Sequence, residues 1–161
     1  MDDLKSYTRK NSLRYKGFDY SNAGYYFVTV CTQNSKYTLS HIISHGENAA
    51  VKLTEVGKIV NDVWNTIPQH YDKVKTEDFV IMPNHIHGII VIENGSSKSL
   101  SDIIKLFKQI TTKKCHEKFG SDFVLWQRSF YDEIMESEEH YYNVKWYITC
   151  NPRNWKTDKY R

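Results

Sequence analysis

The chain has 161 residues, of which 40% are hydrophobic, and this is enough to bury one core. We therefore expect a single domain over residues 1–161. The net charge of +3 excludes the large basic excess of histone-like proteins, although it is compatible with a polyanionic partner.

The three cysteines, Cys31, Cys115 and Cys150, lie far apart and form no Cys-x-x-Cys pair. This spacing excludes a disulfide framework and a zinc–thiolate site, and a reducing cytoplasm fits it best. The first ten residues are charged where a signal peptide would be apolar, and no apolar run approaches the roughly 18 residues that span a bilayer. We expect a cytoplasmic protein that has no membrane segment.

The first half of the chain predicts an arm, a strand, a hairpin and a helix. Residues 1–24 are polar, basic and aromatic, which is typical of an arm that precedes the first packed element. Residues 25–32 are β-branched and aromatic and predict a central strand, and residues 37–53 indicate a short hairpin. A helix should follow the N-cap residue Thr54, with apolar residues at helical spacing until Pro68 interrupts it.

The second half predicts a strand pair, a helix, one more strand and a last helix. Residues 74–82 and 86–93 should form an antiparallel hairpin, and Ser99 caps the helix that follows. Another strand is expected within residues 123–135, and a third helix runs from Ser137 to near Pro152. This order predicts an α+β, ferredoxin-like fold, a split β-α-β arrangement with an antiparallel sheet. Its helices should pack on one face and leave the other face for a site.

His85 and His87 are two residues apart on the predicted third strand, so both imidazoles project from one face of the sheet. Neutral imidazoles placed in this way can bind a divalent ion. The pair taken alone is equally compatible with two polar strand residues that bind nothing. A third ligand and a reactive group are needed for a catalytic site.

The third helix offers both of these groups. Tyr147 and Asn151 are four residues apart and can share one helix face, so that a phenol and an amide oxygen point the same way. Pro152 disfavours helical angles at Asn151, so the spacing predicts the direction of its side chain and not its distance from Tyr147.

A phenol beside a divalent ion is suited to phosphoryl transfer. Its ordinary pKa of about 10 makes it a weak nucleophile, but an ion that polarises a phosphodiester makes its attack on phosphorus feasible. A covalent phosphotyrosine then stores the bond energy for rejoining. No nucleotide cofactor is required, which agrees with the absence of a Gly-x-x-x-x-Gly-Lys motif.

These residues, in this order, resemble the single-tyrosine transposases of the HUH class, specifically the REP-associated tyrosine transposases and their insertion-sequence relatives. The resemblance is carried by stretches that span nearly the whole chain, at residues 15–20, 26–29, 82–87, 125–132 and 147–152.

The resemblance implies a metal-dependent single-strand DNA endonuclease and strand transferase that recognises hairpin DNA with flanking single strands. It implies that His85 and His87 are the paired metal ligands, that Asn151 is a further polar ligand, and that Tyr147 becomes linked to the 5′ phosphate. The metal would be Mg²⁺ or Mn²⁺. The insertion-sequence branch forms homodimers with mixed active sites whereas REP-associated members can act as monomers, so both states stay open. The sequence departs from the pattern at Glu133, where a histidine is expected.

Basic side chains fix a nucleic acid's register through its phosphates. The candidates for such contacts are Arg9, Lys10, Arg14, Lys16, Lys105, Lys108 and Arg128.

Two other functions fit parts of the same pattern. One is a nucleic-acid-binding module of this fold that does not cut, such as a regulator that binds DNA or RNA. The other is a metal-dependent hydrolase with activated water, which needs acidic ligands near the histidines. Asp78 and Glu93 are the nearest acids along the chain, and strand alternation places neither of them clearly.

Overall fold

A computed structural model describes residues 23–44 and 46–161 of the protein. The N-terminal arm predicted at residues 1–24 therefore lies almost wholly outside the described residues, and so do Arg9, Lys10, Arg14 and Lys16. The strands and α-helices, in chain order, are β1 (Gly24–Cys31), β2 (Ser40–Ile42), β3 (Val51–Leu53), α1 (Glu55–His70), β4 (Val74–Ile81), β5 (His85–Ile92), α2 (Leu100–Phe119), β6 (Tyr131–Ile134) and α3 (Glu138–Cys150).

The main sheet has the strand order β4-β5-β1-β6, and every neighbouring pair is antiparallel. β5 lies between β1 and β4, which is the split β-α-β arrangement, so the predicted α+β, ferredoxin-like fold is confirmed. The predicted central position of the first strand is confirmed as well. β2 and β3 form the expected short hairpin as a separate two-stranded sheet.

The helix starts follow the predicted capping residues. The Thr54 side chain accepts a hydrogen bond from the Gly57 amide at the start of α1, and Ser99 and Asp102 form a capping box at the start of α2. Ser137 caps α3 in the same way. α1 was expected to stop at Pro68, but it continues to His70 with the proline inside its last turn.

The two faces of the main sheet carry different helices. α1 and α2 pack on one face, around a core that includes Trp64, Ile90 and Phe107. The expectation that all the helices share this face is wrong for α3, which packs on the opposite face with Val144 and Ile148 against Ile89, Val91 and Phe27. The reason is that β5 is buried on both sides along its whole length, so its second face also needs apolar cover.

Candidate functional site

The histidine pair lies at the start of β5, on the sheet face that α3 covers. His87 is paired with Thr29 of β1 and His85 with Cys31. Strand alternation places both imidazoles on the same side as Ile89 and Val91, which touch α3. Both histidines are fully buried. The two-residue spacing therefore produces the shared face that the sequence predicts.

Hydrogen bonds orient the His85 ring. Its Nδ1 lies 2.7 Å from Asn84 Oδ1, while Asn84 Nδ2 donates to the Tyr160 carbonyl oxygen across 2.6 Å. The amide is thus oriented with its oxygen toward the histidine. An amide oxygen only accepts hydrogen bonds, so His85 Nδ1 carries the proton and Nε2 holds the free lone pair.

Thr29 holds the His87 ring. Its hydroxyl lies 2.8 Å from His87 Nδ1. A threonine hydroxyl both donates and accepts, so this contact fixes the orientation of the ring in either tautomer. Asn84 and Thr29 therefore act as supports for the two imidazoles, the usual arrangement around metal-binding histidines.

Burial keeps both imidazoles neutral. It lowers the pKa of His85 to about 3, although Asn151 acts in the opposite direction, and the charge of Lys159 lowers it further. The pKa of His87 is also well below its ordinary value, first because of burial and then because of His85. Neutral imidazole is the form that binds a metal ion.

Tyr147 of α3 lies directly beside this pair. Its ring centroid is 5.2 Å from that of His87, and it makes an edge contact with Phe27 at 6.0 Å. The tyrosine is 37% exposed, so one side of the phenol faces solvent although the histidines do not. Burial and then Asp158 raise the pKa of Tyr147, whereas the hydrogen bond of Asn151 opposes that shift. The phenol is therefore protonated at neutral pH.

Asn151 completes the predicted group. It keeps helical angles at the end of α3 (φ −57°, ψ −44°) in spite of Pro152, and it is only 2% exposed. Its amide interacts with Tyr147 and Asp158. Its Oδ1 is buried and has no hydrogen bond of good geometry with any residue in the described ranges.

Residues after α3 close the site, and sequence reasoning missed them. The segment that follows Pro152 includes a 3-10 turn, Trp155–Thr157. It brings the Tyr160 ring centroid to 4.8 Å from His85 and 5.6 Å from His87, and places Asp158 Oδ2 3.8 Å from His85 Nε2. Lys159 is exposed and its charge acts on both histidines and on Tyr147. The signal in the sequence is a pair of aromatic residues, Trp155 and Tyr160, in an otherwise charged end.

These groups fit a divalent metal ion. The two Nε2 atoms face each other 3.1 Å apart. Two ligand atoms at about 2.1 Å from an ion and at right angles lie about 3 Å apart, close to that value. The buried Asn151 Oδ1, which lacks a hydrogen bond, offers an oxygen ligand in the same group. The ligand atoms of His85, His87 and Asp158 all lie within 4.8 Å of one another.

Comparison with known proteins identifies the family. The profile described as "Transposase IS200 like" matches residues 35–151. An uncharacterized protein of Haemophilus influenzae is 32% identical to this chain, over 93% of the chain and 92% of its own length. The chain belongs to the IS200-like transposase family. The histidine pair, Tyr147 and Asn151 all lie within the matched residues.

Solved structures of similar proteins share the fold. The structure of a REP-associated tyrosine transposase bound to a REP hairpin aligns with a TM-score of 0.67 and 20% identity, over 91% of this chain and 76% of that one. A candidate transposase from Deinococcus radiodurans R1 aligns with a TM-score of 0.53 and 17% identity, over 84% of this chain and 96% of its own. The resemblance to HUH single-tyrosine transposases expected from the sequence is confirmed, and the protein is a transposase.

The basic residues predicted to contact phosphates are not all near the site of this IS200-like transposase. Lys105 is exposed on α2, on the sheet face opposite the histidines. The Lys108 ammonium donates to the carbonyl oxygens of residues 127–129 at 2.7 to 3.3 Å, so it holds that loop. Arg128 is exposed in the same loop.

The two acids considered for a hydrolase are engaged elsewhere in the transposase. Asp78 forms an ion pair with Lys145 at 3.0 Å, and Glu93 pairs with Lys75. Glu133, where the family pattern predicts a histidine, lies 3.2 Å from His140 of α3. None of the described helices is both long and apolar enough to cross a membrane.

Proposed function

We propose that this transposase cuts and rejoins single-stranded DNA through a covalent link between Tyr147 and a 5′ phosphate. The proposal rests chiefly on one observation: the Tyr147 ring lies 5.2 Å from that of His87, and the Nε2 atoms of His87 and His85 lie 3.1 Å apart. A nucleophile and a set of metal ligands from distant parts of the chain meet at one point, as phosphodiester chemistry requires.

The residues divide into ligands and nucleophile. His85, His87 and Asn151 would hold Mg²⁺ or Mn²⁺, which when bound would polarise the scissile phosphate and offset the charge that develops on it. Tyr147 forms the new bond from its phenolic oxygen to phosphorus, and the bond from phosphorus to the 3′ oxygen of the preceding nucleotide breaks. The phenolic proton is lost to solvent and the 3′ oxygen gains one, so the products are a 5′-phosphotyrosine and a free 3′ hydroxyl.

Rejoining reverses these steps with the same or another 3′ hydroxyl. The energy of the phosphodiester remains in the phosphotyrosine, so no nucleotide cofactor is needed. Tyr147 lies beside the histidines of its own chain, 5.2 Å from the His87 ring. This favours a monomer as the active unit, in which each chain supplies its own tyrosine.

The DNA partner is proposed from chemistry and from the relative. Lys159, an exposed cation beside the site, suits a phosphate backbone. The similar solved structure holds a REP hairpin. We extend this to a hairpin with a flanking single strand as the substrate of this protein.

A covalent-adduct assay tests the proposal. A labelled hairpin oligonucleotide with single-stranded flanks is incubated with protein and Mn²⁺ and analysed on a denaturing gel. Wild-type protein should give a band shifted by the mass of the chain, and Tyr147→Phe should give none. Tyr142→Phe is the matched control, because Tyr142 is 63% exposed on the same helix and should keep the adduct. DNA binding without any adduct would support the non-cleaving module instead.

A further inference from the structure

A carboxylate outside the predicted ligand set faces the histidine pair. Asp158 lies in the segment after α3, its side chain is 2% exposed, and its Oδ2 is 3.8 Å from His85 Nε2. Its other oxygen, Oδ1, accepts a hydrogen bond from the Tyr160 amide across 2.7 Å. One oxygen of the carboxylate is thus held by the backbone while the other points at the ligand nitrogens.

No close ion pair in the described ranges neutralises the Asp158 carboxylate, which is stabilised only by the charge of neighbouring Lys159 and by hydrogen bonds from Asn151 and the Tyr160 amide. No lysine or arginine nitrogen of residues 23–44 and 46–161 lies within ion-pair distance of Asp158. The imidazole of His85 already donates its Nδ1 proton to Asn84, and it presents a lone pair toward the carboxylate. A carboxylate and a lone pair repel each other in a buried site, and such a charge is costly unless it is paired or coordinates a metal.

We propose that Asp158 is a direct ligand of the divalent ion, so that the C-terminal segment closes the metal site with a negative charge. This inference rests on the proposed function, because it concerns the same ion. The independent sign of a ligand here is Asn151 Oδ1, which is buried against the same group without a hydrogen bond. Two neutral imidazoles, an amide oxygen and one carboxylate form a set that suits Mn²⁺ or Mg²⁺.

The assignment links the ion to the docking of the C-terminal segment. Asn84 already binds the Tyr160 carbonyl oxygen, and Trp155 and Tyr160 pack near the His85 ring. An ion held by Asp158 adds a bond between this segment and β5. The segment should therefore be more firmly docked in the presence of the ion than in its absence.

Binding of Mn²⁺ alone, without DNA, tests the assignment. Electron paramagnetic resonance measures the free ion in titrations of the wild-type chain, Asp158→Asn, His87→Gln and the control Asp122→Asn, whose residue is exposed in the loop after α2. Asparagine keeps the hydrogen bond from the Tyr160 amide and removes the charge. We expect at least a tenfold loss of affinity for Asp158→Asn and His87→Gln, and no change for Asp122→Asn.

Trypsin cleavage after Lys156 and Lys159, followed by intact mass, gives a second readout. Mn²⁺ should slow the loss of the C-terminal residues in the wild-type chain and not in Asp158→Asn.

The Mn²⁺ titrations decide between the two proposals. If Asp158→Asn binds Mn²⁺ as tightly as the wild type while His87→Gln does not, Asp158 is not a ligand and the proposed function stands. If the wild-type chain binds no Mn²⁺ at all, the metal part of the proposed function fails together with this inference.

Discussion

The Tyr141 hydroxyl donates a hydrogen bond to the Glu77 carboxylate across 2.5 Å, which joins α3 to the edge strand β4. Next to it, Lys145 of α3 pairs with Asp78 at 3.0 Å. Successive strand residues normally point to opposite faces, but β4 carries one extra residue between Thr76 and Phe79. This bulge lets Glu77 and Asp78 both reach the helix that carries Tyr147.

We predict that these two contacts position the nucleophile. The double change Glu77→Gln with Asp78→Asn should lower the single-turnover rate of adduct formation about tenfold or more, because a small displacement of a reacting group is costly. DNA affinity should change little. Asp78 and Lys145 side chains are 43% and 35% exposed, so solvent screens the pair and its loss should change folding stability little.

Charge reversal distinguishes a role of the Asp78–Lys145 contact in positioning Tyr147 from a general disturbance of the fold. Asp78→Lys alone should be slow, and adding Lys145→Asp should recover much of the rate. Glu55→Gln is the control, since it removes an exposed pair between Glu55 of α1 and Lys118 of α2, across the sheet from the site. An unchanged rate in the variant that combines Glu77→Gln with Asp78→Asn would show that α3 holds Tyr147 in place without these two contacts.

Gly88, next to His87, has no room for a side chain. A Cβ at this position would lie 2.3 Å from Trp64 Cζ2 and 3.1 Å from Phe79 Cβ, and Trp64 is fully buried. Gly88→Ala should therefore lower the free energy of unfolding by about 1–3 kcal/mol. Urea denaturation measures this, with Gly24→Ala as the control, because a Cβ there would make only ordinary contacts from 3.5 Å. Equal stability of the two variants would contradict the close packing of Trp64 on β5.

The faces of the site residues were predictable because each depends on one periodicity. A spacing of two on a strand and of four on a helix fixes the direction of His85, His87, Tyr147 and Asn151 without knowledge of the rest of the fold. The side of the sheet on which α3 packs depends instead on which face of β5 lacks apolar cover. The run of residues 89–92, apolar without alternation, carried that signal.

Contacts between distant segments could not be predicted in this way. Asp158 reaches His85 only because the chain turns back after α3 and packs Trp155 and Tyr160 on the site, and no periodicity describes such a turn. The role of Lys108 also depends on tertiary structure, since its ammonium is directed at the carbonyl oxygens of a loop. Charge and spacing do not distinguish such a lysine from one that contacts DNA.

The cysteines should be unreactive in the native protein. All three are free and buried, and burial raises the pKa of Cys31 to about 11 and also raises that of Cys115. Thiolate is the reactive form, so few thiols should react with a disulfide reagent at pH 8 in native buffer, and three should react in denaturant. Rapid reaction of even one thiol in native protein would show that its surroundings open readily.

Stability without metal should fall as the pH is lowered from about 6.5, because of the buried histidines. The pKa of His85 is about 3 in the folded protein and near 6.5 when unfolded, so between these values only the unfolded chain takes up the proton. The contribution of the neutral His85 ring to the free energy of unfolding is complete above pH 6.5. Below that pH it decreases by about 1.4 kcal/mol per pH unit, or about 3 kcal/mol by pH 4.5. Burial raises the pKa of Asp158, which acts in the opposite direction and makes a variant comparison necessary.

In denaturant titrations with a chelator, the stability of His85→Gln should decline less steeply with falling pH than that of the wild type, whereas that of His41→Gln, at an exposed position, should not. Parallel curves for His85→Gln and the wild type would mean that the His85 ring gains a proton in the folded state as easily as in the unfolded chain.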